Sequence, residues 1–198
     1  MRNTLINRCL IAFLLILGMT NCYSSNNIWR DFNNNPNDEN YERCLTQIEE
    51  TNTIPINDKT PIFKQLIIDQ EIRNLFKLVE SGNKLASDLC FNLFPVFKGH
   101  VQYIEFFNIS LGKLITRDAQ LFMELLAKYD NVIVGKYTSF DGLLGNYGND
   151  FDDNVNMMIV ETNKRLESLR NLNNCNNKQL IKKCIDYFNK RLEFLKRW

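Results

Sequence analysis

The sequence predicts an all-α protein: short antiparallel helices in a solenoid-like or irregular array, followed by a long C-terminal helical hairpin. Three observations predict it. After residue 40, apolar residues recur at three- and four-residue spacing through most of the chain, the period of one helix face. Turn and capping residues interrupt that period near Gly82, Gly99 and Thr116, at intervals of about 17 residues. Alternating apolar and polar runs, the mark of a half-buried strand, are scarce, and residues 131–134 are the one strand candidate.

Each helix has its own signals. A first helix is expected over residues 37–50. Thr60-Pro61 starts the next, with Thr as N-cap and Pro at the first helical position. Ile68, Ile72, Leu75, Phe76 and Val79 follow at helical spacing, and Gly82 stops the run. Leu85, Leu89, Leu93 and Phe97 form the next stripe, with Pro95 kinking or ending it. Beyond Gly99-His100, the residues Val101, Ile104, Phe107, Leu111 and Leu114 make another. Thr116 is the expected N-cap of a helix over residues 119–128, where Leu121, Leu125 and Tyr129 recur. Short turns force these helices to run antiparallel and pack on their neighbours. The layout resembles α-solenoids of the HEAT and armadillo type, whose units run about 40–47 residues, without a residue-level repeat. Two longer stripes close the chain over residues 153–198. One carries Val155, Met158, Ile159, Thr162, Leu166 and Leu169. The other carries Ile181, Cys184, Ile185, Phe188, Leu192 and Leu195. An Asn-rich turn around Cys175 joins them into an αα-hairpin.

The N-terminus reads as an address rather than as part of the domain. Arg2 and Arg8 precede an uncharged apolar run over residues 10–19. A spanning helix needs about 20 apolar residues, so this run has the length of a secretory signal core, with residues 1–21 as the signal peptide. It leads into Met19-Thr20-Asn21-Cys22. A Cys directly after such a run resembles the lipobox of bacterial lipoproteins. That resemblance implies that Cys22 is acylated and becomes the new N-terminus, on the periplasmic or cell-surface side of a membrane. Met19 stands where Leu is usual and Asn21 where a small residue is usual. Residues 22–40 are polar, Asn-rich and aperiodic, and read as a flexible tether spanning about 25 Å. Trp29 and Phe32 interrupt it, either docking on the domain or sitting at the lipid interface. Residues 41–198 then form a single helical domain.

Composition bounds the function. Of 198 residues, 44% are hydrophobic and 24% charged, which is ordinary for a globular protein. A net charge of +1 argues against nucleic acid as partner. Once the leader and Cys22 are set aside, Cys44, Cys90, Cys175 and Cys184 remain; export permits disulfides, and the sequence leaves their pairing open. Without a C-x-x-C, the common zinc and thioredoxin-like readings fall away. The single histidine, His100, excludes H-E-x-x-H and has no nucleophile motif to serve; a turn role beside Gly99 suits it better.

Three stretches carry candidate sites. Residues 131–150 hold four of the eight glycines and the polar residues Lys136, Tyr137, Ser139, Asp141, Asn146 and Tyr147. A long aperiodic segment within a helical domain is either a connector or an interaction loop. Next, Asp150, Asp152, Asn154 and Glu161 fall at positions 1, 3, 5 and 12 of a Ca²⁺-binding EF-hand loop. Val155 occupies the position that needs glycine, so a negatively charged helix start is the simpler account. Lastly, from Lys178 onward seven Lys or Arg face only Asp186 and Glu193. Such a helix can meet an anionic membrane or an acidic partner, although its stripe has the spacing of a core-facing helix. The sequence therefore suggests an exported, lipid-anchored module that binds a protein or another envelope component. An immunity-type inhibitor of a toxin is one version, and a hydrolase of envelope polymers using a carboxylate pair is the rival.

Overall fold

The computed structural model describes residues 27–52, 54–148, 154–172 and 177–198. The leader, Cys22, Asp150, Asp152 and Cys175 lie outside them. The described residues are all-α. The strand expected over residues 131–134 does not form: residues 131–133 are turn, and only Val134 makes an isolated bridge, to Thr138.

The first helix begins earlier than the sequence suggests. Residues 22–40 read as tether, yet α1 (Ile28–Asn34) is folded, with the Asn27 side chain accepting from the Trp29 and Arg30 amides. Trp29 and Phe32 are completely buried, so they dock on the domain. Local composition here is overridden by two aromatics and a cap. The next helix, α2 (Asp38–Thr51), is capped by Asn37 and matches the expected span within a residue.

The run expected as one helix from Thr60 to Gly82 is split. A single turn, α3 (Pro61–Phe63), passes into a π-helical stretch (Lys64–Ile68), and the chain then breaks before α4 (Glu71–Glu80). At the break Gln70 sits in the left-handed region with φ of 61°. The Asn27 amide secures this corner by donating to the Asp69 carboxylate at 2.9 Å. Gly82 and Gly99, both with φ near +90°, make the turns on either side of α5 (Lys84–Val96). Pro95 falls in the last turn of α5, where it ends the helix.

Helix α6 (Val101–Arg117) runs through Thr116, which is not a cap. Thr116 donates instead to the Lys113 carbonyl, and Asp118 caps α7 (Ala119–Tyr129) by accepting from the Leu121 amide. A carboxylate at the N-cap also meets the positive end of the helix dipole. A short helix, α8 (Phe140–Gly145), lies inside the glycine-rich loop. The expected hairpin follows as α9 (Val155–Arg170) and α10 (Lys178–Leu195), packed on each other along their length.

The core centres on α5 and α6. Helix α5 touches α2, α4, α6 and α7, and is buried on almost every face; α6 touches α4, α5, α7, α8 and α9. Contacts of α1 with α4, α2 with α5, and α6 with α9 skip intervening helices, which makes the array irregular rather than a solenoid. Phe94, Phe97 and Phe107 meet edge to face between α5 and α6, at 5.4 Å between ring centres. A polar cross-tie joins three helices: Asp88 of α5 accepts from Tyr41 of α2 at 2.6 Å and from Lys128 of α7 at 2.6 Å.

Candidate functional site

Helix α10 turns its stripe inward, burying Cys184, Phe188, Leu192 and Leu195, as the spacing predicts. This leaves its lysines at the edge of an open groove of about 1030 Å³, bounded also by the end of α7, by α8 and by the turn before α10. Lys178, Lys182, Lys183 and Lys190 line it, against Asp130 and Asp186. The groove is therefore positive at neutral pH. Its aromatic residues are Phe140 and Tyr187, which meet edge to face at 6.0 Å, with the Lys183 ammonium 4.4 Å from the Phe140 ring centre. Tyr187 is fixed by close packing on α8, where a Cβ at Gly145 would collide with its hydroxyl. Burial pushes the Tyr187 phenol up, and the neighbouring Asp141 carboxylate adds to this. Such a surface attracts carboxylates through the lysines and holds apolar side chains against the rings.

The glycine-rich loop divides between two surroundings. Lys136 is exposed over the ring of Tyr137, and Asp141 is exposed beside Tyr187. Asn146 and Tyr147 point the other way. The Tyr147 hydroxyl lies 2.6 Å from Thr162 Oγ1, and its ring carries the Arg165 guanidinium at 4.5 Å. Tyr147 is 5% exposed and lines the cleft that holds Arg165 rather than the groove along α10.

Arg165 is the residue that sequence reasoning misses. It occupies a core position of α9 and is 1% exposed. Its Nη1 donates to the Leu144 carbonyl at 2.8 Å and the Asn146 carbonyl at 3.3 Å, and its Nε to Glu161 at 3.4 Å. Burial lowers its pKa, and Tyr147 and Glu161 act in the opposite direction. Arg165 also lines a cleft of about 400 Å³ with Glu80, Lys113, Arg117 and Glu161. Lys113 Nζ pairs with Glu80 at 3.0 Å. The available signal is Gly112, a glycine inside an otherwise strong helix pattern, which marks a close approach. An added Cβ there would lie 2.8 Å from Arg165 Nη1.

The calcium pattern is not assembled from the residues that are described. Asn154 caps α9 by accepting from the Met157 amide at 3.0 Å, and Glu161 pairs with Arg165. Seven helical steps from Asn154 to Glu161 separate the two by about 10 Å along the axis, whereas an EF-hand loop folds these positions onto one ion. Among the described residues, no group of three His, Cys, Asp or Glu side chains could hold a metal ion. His100 stands at the start of α6, its ring among Phe63, Phe97 and Tyr103. Cys44, Cys90 and Cys184 are buried free thiols. Among the described residues, no helix is long and apolar enough to cross a membrane.

No family model matches the chain, and neither a curated protein nor a solved structure matches it.

Proposed function

We propose that this chain is an exported, lipid-anchored binding module whose groove along α10 receives an acidic, aromatic-containing segment of an exported or envelope protein. The observation that carries the reading is the lysine-lined groove itself, with its four lysines, two aspartates and aromatic pair. Charge complementarity selects an acidic occupant and speeds its encounter, while Phe140 and Tyr187 supply apolar area. The export half rests on the leader and on Cys22. The hydrolase reading draws less support. Glu80 and Glu161 do share the cleft, but each is committed to a cation, Lys113 and Arg165 respectively.

The groove is tested with a fluorescent peptide rich in Glu and Asp and carrying one Trp, read by anisotropy on the full chain. Lys178→Glu with Lys182→Glu is expected to weaken binding at least tenfold, and added salt to weaken it in the wild type. Lys59→Glu with Lys98→Glu, outside the groove, is expected to change it little. Equal losses in both pairs would reduce the attraction to general electrostatics and remove the groove. The anchor is tested by the mass of the N-terminal peptide from membrane and soluble fractions. An acylated Cys22 in the membrane fraction is expected; a soluble, unacylated species would make this a free exported protein.

A further inference from the structure

We propose that the cleft between α4, α6 and α9 binds a small ligand through a carboxylate or phosphate group, with Arg165 as its buried anchor and Arg117 at its rim. This site shares no lining residue with the groove, so the two stand or fall separately.

The case begins with an incompletely compensated buried charge. Taking a guanidinium out of water is costly unless its donors and its charge are met. Arg165 Nη1 is met by two carbonyls. Its only carboxylate partner among the described residues, Glu161, lies at 3.4 Å and is shared with Lys164 at 3.9 Å. The cleft adds two cations. Lys113 is spent on Glu80, whereas among the described residues Arg117 uses only Nε, donating to the Ser81 carbonyl at 3.3 Å. Its paired Nη groups remain for a second partner. Among the described residues, three cations against two carboxylates leave the lining with an excess positive charge, which a monoanionic group balances.

The site is also preorganised. The Tyr147 ring, the two carbonyls and Glu161 fix the Arg165 plane from different sides. Gly112 clears the space it needs against α6. A rigid fork of this kind suits the flat face of a carboxylate or two phosphate oxygens, a match that lysine does not offer. A volume of about 400 Å³ admits a small molecule but not a folded domain.

The test is calorimetric titration of the detergent-solubilised full chain, at constant ionic strength, with inorganic phosphate and with N-acetylalanine. Saturable binding of at least one probe is expected, weakened tenfold or more by Arg117→Gln and by Lys113→Gln, and little changed by Lys98→Gln. Phosphate alone binding assigns a phosphate ligand, and N-acetylalanine alone a carboxylate. Arg165→Lys, which keeps the charge and loses the fork, is expected to abolish binding; if it fails to fold, the rim variants carry the test. Absence of saturable binding by both probes overturns the proposal, as does an affinity that Arg117→Gln leaves unchanged.

Discussion

At residue scale, Arg165 and Gly112 form one unit across two helices. In a solvated helix, Gly→Ala stabilises by about 1 kcal/mol, because alanine loses less backbone freedom on folding. At Gly112 the sign is expected to reverse. The new Cβ would stand 2.8 Å from Arg165 Nη1 and 3.1 Å from the Leu143 carbonyl oxygen. The oxygen is backbone and cannot swing aside. Movement of Arg165 would break its bonds to Leu144 and Asn146 and leave a buried charge worse compensated. Gly112→Ala is therefore expected to destabilise by about 1–3 kcal/mol in urea unfolding, the usual range for overpacking. A stabilised variant would show that α6 and α9 are not in this close contact.

At element scale, α1 is the clearest case of a helix made by its partners. Trp29 and Phe32 are buried, and Trp29 Nε1 donates to Gln47 of α2 at 2.7 Å. Arg30 and Asn33 both bond the Glu71 carboxylate of α4, at 2.9 and 3.0 Å. Burial raises the Glu71 pKa, but the hydrogen bonds from Asn33, Arg30 and Asn74 outweigh it and hold the carboxyl below its usual range. A depressed carboxyl contributes stability above its unfolded pKa and loses it as pH falls through the folded value. Glu71→Gln is expected to cost about 1–3 kcal/mol at neutral pH and to flatten the loss of stability below about pH 5, read by urea midpoints across that range. Trp29→Ala is expected to cost about 3–5 kcal/mol. Helices with long stripes, α5, α6, α7 and α10, were legible because one apolar face per helix decides both period and burial. Helix α1 was not, since two aromatics among asparagines make no period. The break at Gln70 was hidden for the opposite reason: the apolar spacing from Ile68 to Val79 continues across it. The groove's lysines could be read on α10, but Phe140 and Tyr187 come together only through the packing of α8, and the Arg165 cleft needs three helices in place.

At the scale of the molecule, the start of α1 at Ile28 shortens the tether expected after Cys22. From Cys22 to Asn27 even a fully extended chain reaches only about 17 Å, so acylation of Cys22, as proposed, would hold the domain close to a lipid surface. The fold keeps its buried thiols and phenols neutral, which sets its response to alkali. Burial pushes the thiols of Cys44 and Cys184 from an ordinary value near 9 up to about 12, and raises Cys90 as well. Burial also raises the phenols of Tyr41 and Tyr187, with Asp88 and Asp141 adding to the effect. Between pH 9 and 12 the unfolded chain releases protons that the folded chain keeps, so stability falls as pH rises. Each thiol contributes a slope approaching about 1.4 kcal/mol per pH unit once its unfolded form has ionised. Urea midpoints are therefore expected to hold steady from pH 7 to about 8.5 and then drop steeply, before the lysines titrate near 10.4. Cys44→Ala removes one thiol from the balance, and its curve is expected to descend less steeply above pH 9 even though the small cavity lowers it throughout. An unchanged slope in that variant would mean that Cys44 ionises in the folded chain as readily as in the unfolded one.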